Sequence, residues 1–100
     1  MRRYDVDCGN GDALRETSEF FCDHLAIVEA ILSNGEAVVI VFPPGDHTYR
    51  ETRGSLAASL ARRYAPARCN VVGGTGQSLE ATLRYIAAAE AVTGQYLEAD

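Results

Sequence analysis

The run Ala37-Val38-Val39-Ile40-Val41-Phe42 constrains this chain more than any other feature. It is continuously apolar, mostly β-branched, and shows no alternation. A strand with one wet face alternates apolar and polar residues, so this one is covered on both faces, as strands of parallel sheets are. Pro43-Pro44-Gly45 stops it, because proline brings no N–H to the ladder. Parallel neighbours need long crossover connections, so helices are expected on both sides of this run in the sequence.

The flanking segments supply them. Residues 4–8 (Tyr-Asp-Val-Asp-Cys) alternate apolar and acidic and read as a short edge strand, followed by a turn at Asn10, Gly11 and Asp12. A helix is predicted over 17–33, capped by Thr17 or Ser18 and ended by Asn34-Gly35. Phe21, Leu25, Val28 and Leu32 form one stripe of it, and Phe20, Ile27 and Ile31 an adjoining one. That face is wider than a surface helix needs. A second helix is predicted over 51–64. Leu56, Leu60 and Tyr64 form its apolar line, and Ala57, Ala58 and Ala61 keep its flanks narrow. Then come a strand over 68–72, a glycine loop over 73–76, a helix over 78–89 with Leu79, Leu83 and Ile86 inward, and a last strand over 95–97. The order βαβαβαβ predicts an α/β fold: four mostly parallel strands in sequential order, three main helices and right-handed crossovers.

At 100 residues the chain is expected to be one domain. A net charge of −5 opposes nucleic-acid binding. The arginines at 50, 53, 62, 63 and 68 read as a solvated helix face. Cys8, Cys22 and Cys69 are odd in number and irregularly spaced, which argues against a disulfide framework. Cys22 and Cys69 are expected to be buried, and Cys8, beside Gly9, exposed. No spacing fits a zinc site, so no metal is expected. No apolar run suits a membrane span, and no signal peptide is evident, so a cytoplasmic location is expected.

The stretch Ser59-Leu60-Ala61-Arg62-Arg63-Tyr64-Ala65-Pro66, followed by Arg68-Cys69-Asn70-Val71-Val72, resembles a helix-to-strand passage of the short-chain dehydrogenase/reductase family, SLAxExAP followed by RVNxV. Val92-Thr93-Gly94-Gln95-Tyr96-Leu97-Glu98-Ala99-Asp100 looks like that family's closing TGQxLxVD. Residues 35–42 resemble its central strand, GxIVNISS. The resemblance covers residues 17–100 and implies a two- or three-layer Rossmann-like domain similar to the family's C-terminal half.

The departures bear on function. The family's glycine-rich TGxxxGxG turn belongs to its N-terminal half, for which this chain has no room. Gly9-Asn10-Gly11-Asp12 follows too weak a strand to replace it. No dinucleotide or other cofactor is therefore expected. The family's catalytic Ser and YxxxK pair are also altered. Phe42-Pro43-Pro44 stands in the serine region. Tyr49 and Arg53 keep the YxxxK spacing with Arg for Lys, whereas counting back from Ala65-Pro66 places the pair at Asp46 and Arg50. Arginine cannot reproduce a compact ammonium at a ribose. Tyr49 and Arg53 remain the candidates for catalysis.

Asp46, His47, Gly73 and Gly74 are the candidates for ligand binding, because each lies near the carboxyl end of a strand, where open α/β sheets hold ligands. The competing assignments are a helix cap at Asp46 or Thr48, a solvated His47 and plain loop glycines. His24 is expected to be packed rather than a ligand. Three functions follow. One is a non-catalytic interaction or scaffold domain that forms a homodimer through helices 17–33 and 51–64. Another is a small-ligand-binding protein or enzyme using the edge at 46–49. The third is an accessory subunit of a full-length dehydrogenase.

Overall fold

The computed structural model describes residues 1–7 and 11–99. The expected strand end at Cys8, the glycine and asparagine at 9 and 10, and Asp100 lie outside the described residues. The strands are β1 (Arg2–Asp5), β2 (Val38–Phe42), β3 (Cys69–Gly74) and β4 (Tyr96–Ala99). They pair in the order β1-β2-β3-β4, every pair parallel, with Tyr4 beside Ile40, Ile40 beside Val71, and Val71 beside Tyr96. All five residues of β2 are buried, as its unbroken apolar run requires.

Among the described residues the α-helices number four rather than three: α1 (Ala13–Asp23), α2 (Leu25–Ser33), α3 (Arg50–Arg63) and α4 (Gly76–Ala88). The single helix expected over 17–33 begins earlier and breaks. Asp12 caps it, its carboxylate accepting from the Arg15 amide at 3.0 Å, while Thr17 hydrogen-bonds back to the Ala13 carbonyl. The break falls at His24 (φ −127°), whose Nδ1 meets the Tyr4 hydroxyl at 2.9 Å and whose ring lies against Phe20. Histidine carries no helix-breaking signature, so this bend comes from β1 and is silent in the local sequence.

Strand alternation separates two cores. Val38, Ile40, Phe42, Cys69 and Val71 face Phe20, Val28 and Leu32 of α1–α2 and Ala57 and Leu60 of α3. Val39, Val41 and Val72 face Leu79 and Ile86 of α4. The domain therefore has three layers. The strands step steadily across the sheet, yet the first two crossovers run over one face and the third over the other. The third crossover has the opposite hand from the first two, so the three cannot all obey the expected right-handed rule.

The turn that feeds β4 explains how α4 is held. Arg68 Nη1 donates to the carbonyls of Ile86, Ala89 and Val92 at the end of α4. Buried Asn70 donates to Val92 and accepts from the Gln95 amide. Thr93 Oγ1 accepts from the Cys69 amide, and the Gly94 amide donates to the Cys69 carbonyl. Gly94 (φ +73°) lies against Ala58 and Ala61. The small flank of α3 thus receives this turn, and Ala57 is fully buried.

The five arginines do not share a solvated face. Arg53 is buried, Arg68 caps α4, and Arg50 and Arg63 pair with Glu98 and Glu29. Cys22 is exposed, contrary to expectation, because it lies two residues from buried Phe20 and so on the opposite face of α1, whereas Cys69 is buried. Burial pushes the Cys69 thiol up to about 12. Only the thiolate is reactive. Iodoacetamide at mildly alkaline pH is therefore expected to label Cys22 in the native protein, and Cys69 only after denaturation, as peptide mass mapping would show.

Candidate functional site

The carboxyl ends of β2 and β3 are closed by a buried arginine. Arg53 lies on the stripe Arg53, Ala57, Leu60, Tyr64 of α3, one turn before its apolar part, so its side chain enters the core. It is 2% exposed. Nε and Nη2 donate to the two carboxylate oxygens of Glu16 at 2.9 and 2.8 Å, a fork-to-fork pair. Nη1 donates to the Tyr96 hydroxyl at 2.9 Å. The guanidinium carbon lies 4.6 Å from the centre of the Tyr49 ring, 4.9 Å from Phe42 and 5.6 Å from Tyr96. Burial lowers the Arg53 pKa, but the hydrogen bonds to Glu16 and Tyr96 outweigh it and leave it above its ordinary value.

This arrangement has steric conditions. A Cβ on Gly73 would lie 2.5 Å from both Arg53 Nη1 and the Tyr96 hydroxyl, and one on Gly45 2.8 Å from the Tyr49 ring. A Cβ on Gly74 would lie 2.7 Å from Ala99. Gly73 and Gly74 are therefore not the loop glycines the sequence led us to expect. They belong to β3, which runs to Gly74, and they are small because side chains of α3 and β4 cross them. The chain turns only at Gly76 (φ +68°), which opens α4.

The other predicted residues have modest duties. Asp46 accepts from the Thr48 hydroxyl and amide at 2.5 and 3.0 Å and so caps the 3₁₀ turn His47–Tyr49 ahead of α3. The Thr48 hydroxyl, then its amide, hold the Asp46 carboxyl below its ordinary range. His47 is exposed. The Tyr49 hydroxyl donates to the Gly11 carbonyl at 2.8 Å, tying the start of α3 to the entry of α1. The structure thus joins Tyr49 to Arg53 but directs the phenol to a backbone carbonyl. The alternative pair is separately engaged, Asp46 with Thr48 and Arg50 with Glu98.

Sequence reasoning missed Glu16 and Tyr96. A signal existed for Glu16, which lies one turn before buried Phe20, as Arg53 does before Ala57. Their pairing spans 37 residues, and no local pattern encodes that.

Two recesses among the described residues bear on this site. A shallow one of about 210 Å³ at the strand ends is lined by Arg3, Asp5, Asp7, Pro43, Gly74 and Thr75. Its two carboxylates disfavour a phosphate. A groove of about 400 Å³ runs between α1–α2 and α3, past Phe21, Leu25, Glu29, Ser55, Leu56 and Ser59. Among the described residues no three His, Cys, Asp or Glu side chains converge as a metal site would need, and no helix is long and apolar enough to cross a membrane.

A three-layer sheet of sequential parallel strands, with its carboxyl edge beside the start of α3, defines an α/β Rossmann-like domain. The chain matches the family model for short chain dehydrogenase-like proteins over residues 4–99, and it belongs to that family. No curated protein and no solved structure matches it.

Removing one member of a buried ion pair leaves the other charge uncompensated, at about 3–5 kcal/mol, whereas replacing both by apolar groups is often neutral. Glu16→Ala and Arg53→Met are each expected to destabilise the fold by about that amount in urea unfolding. Glu16→Leu with Arg53→Met is expected to cost less than the two single substitutions summed. Strict additivity would show that the two side chains do not act as a pair.

Proposed function

We propose that this chain is a non-catalytic interaction domain of the short chain dehydrogenase-like family. It forms a homodimer through the helical layer at 17–33 and 51–64 and binds no dinucleotide. The observation that carries the reading is the closed Arg53 cluster. At the YxxxK spacing, an acid/base tyrosine would need its hydroxyl facing substrate and a cation left over for a ribose. Tyr49 donates to Gly11 instead, and the Arg53 guanidinium is held by Glu16, Tyr96 and three rings. An arginine neither gives nor takes a proton near neutral pH.

The dimer is supported by two exposed apolar side chains, Phe21 on α1 at 54% and Ile27 on α2 at 51%. Phe21 borders the groove that α3 completes. Contiguous exposed apolar surface usually marks an interface. The alanines of α3 contribute nothing outward, since they receive the sheet and the Gly94 turn. In this reading the contact rests on Phe21, Leu25 and Leu56 at the groove, with Ile27 exposed farther round α2. Calorimetric titration with NAD(H) and NADP(H) is expected to show no specific heat, and a micromolar dissociation constant for any of them would overturn the reading. Sedimentation equilibrium is expected to give a dimer that Ile27→Glu dissociates at micromolar concentration.

A further inference from the structure

The sheet ends at β1, whose one partner strand among the described residues is β2. The Arg2 amide donates to the Ala37 carbonyl and the Val6 amide to the Val41 carbonyl. By the alternation of a parallel ladder, Arg2, Tyr4 and Val6 direct their backbone groups to β2, and Arg3 and Asp5 direct theirs away from it. An open edge of this kind is a template for another strand.

The side chains on this edge select the occupant. Arg3 and Asp5 point to the face that carries α4, where Arg3 hydrogen-bonds Asp5 at 3.0 Å and Glu80 at 2.9 Å. Both stay well exposed, at 41% and 61%. Consider β1 against a second β1, antiparallel about a two-fold axis, so that outward-directed residues oppose one another. A centre at Arg3 sets arginine against arginine. A centre at Asp5 sets aspartate against aspartate at the axis, with Arg3 against Asp7 on either side. A centre at Tyr4 sets Arg3 against Asp5 twice, with both backbone pairs bonded. The strand is therefore free of like-charge pairs at the Tyr4 register, whereas the registers on either side bring two like charges together at the axis. The opposite edge has no such pattern, since β4 reads Tyr-Leu-Glu-Ala and Glu98 already pairs with Arg50.

We propose that the β1 edge is an interaction surface for a second copy of this chain, joined antiparallel with Arg3 opposite Asp5 and continuing the two sheets into one. This contact is separate from the helical face, and each two-fold contact is closed on its own. The test uses the Ile27→Glu chain, in which the helical contact is removed. At roughly 1 mM protein, because a few solvent-exposed strand hydrogen bonds support only weak association, it is expected to sediment near twice 10.8 kDa. Adding Arg3→Asp is expected to return it to 10.8 kDa. Adding Asp5→Arg to that chain is expected to restore pairing, a rescue that loss of the Arg3–Glu80 contact alone could not give. Circular dichroism checks the fold of each variant, and Phe21→Ser replaces Ile27→Glu if the latter unfolds. A monomer in the parent background, pairing that survives Arg3→Asp, or a charge swap without rescue overturns the proposal.

Discussion

The bidentate contact of Arg53 with Glu16 is the constraint on which the rest of the structure depends. A charged group taken from water costs several kcal/mol unless its partner comes with it in good geometry. Meeting that condition joins α1 to α3 across 37 residues of chain. It brings Tyr96 across β3 to the third side of the guanidinium, and this leaves room at position 73 only for glycine. It sets the Tyr49 ring as a cover on the cation, so that the phenol points to the entry of α1. One ion pair thus bears on how the first helix docks, why position 73 of β3 is glycine, and why the carboxyl edge of the central strands is filled.

The residues that carry the family resemblance perform a different task. Arg68, Asn70, Thr93, Gly94 and the alanines of α3 meet around a single turn, where they hold the end of α4 and feed β4 into the sheet. That turn returns the chain to the sheet after a crossover of opposite hand, and its many hydrogen bonds hold an otherwise disfavoured connection. The shared motifs are therefore architectural. A chain can keep them, and belong to the family, while its strand edge is packed around a buried arginine.

Two surfaces remain after the core is built, and their chemistry differs. The α1–α2 surface exposes the apolar side chains Phe21 and Ile27, so its association would follow area removed from water. The β1 edge is polar and ordered by backbone direction and charge, so its association would be weak, specific in register and sensitive to salt.

The unbroken run at 37–42 by itself determined a strand covered on both faces, and the βαβαβαβ order of segments a parallel sheet with crossover helices and sequential strands. Periodicity located Leu79, Leu83 and Ile86 on α4 and Leu60 on α3, because a helix or strand period is a local property that any window of residues displays. The break at His24 and the side of the sheet on which α4 lies were decided by tertiary structure, since neither is marked in the local sequence. The site divides in the same way. The strand edge and the Tyr49–Arg53 spacing were legible in the sequence. That Arg53 is buried rather than offered to a ligand depended on Glu16 and Tyr96, 37 and 43 residues away, and only the folded chain brings those charges and rings together.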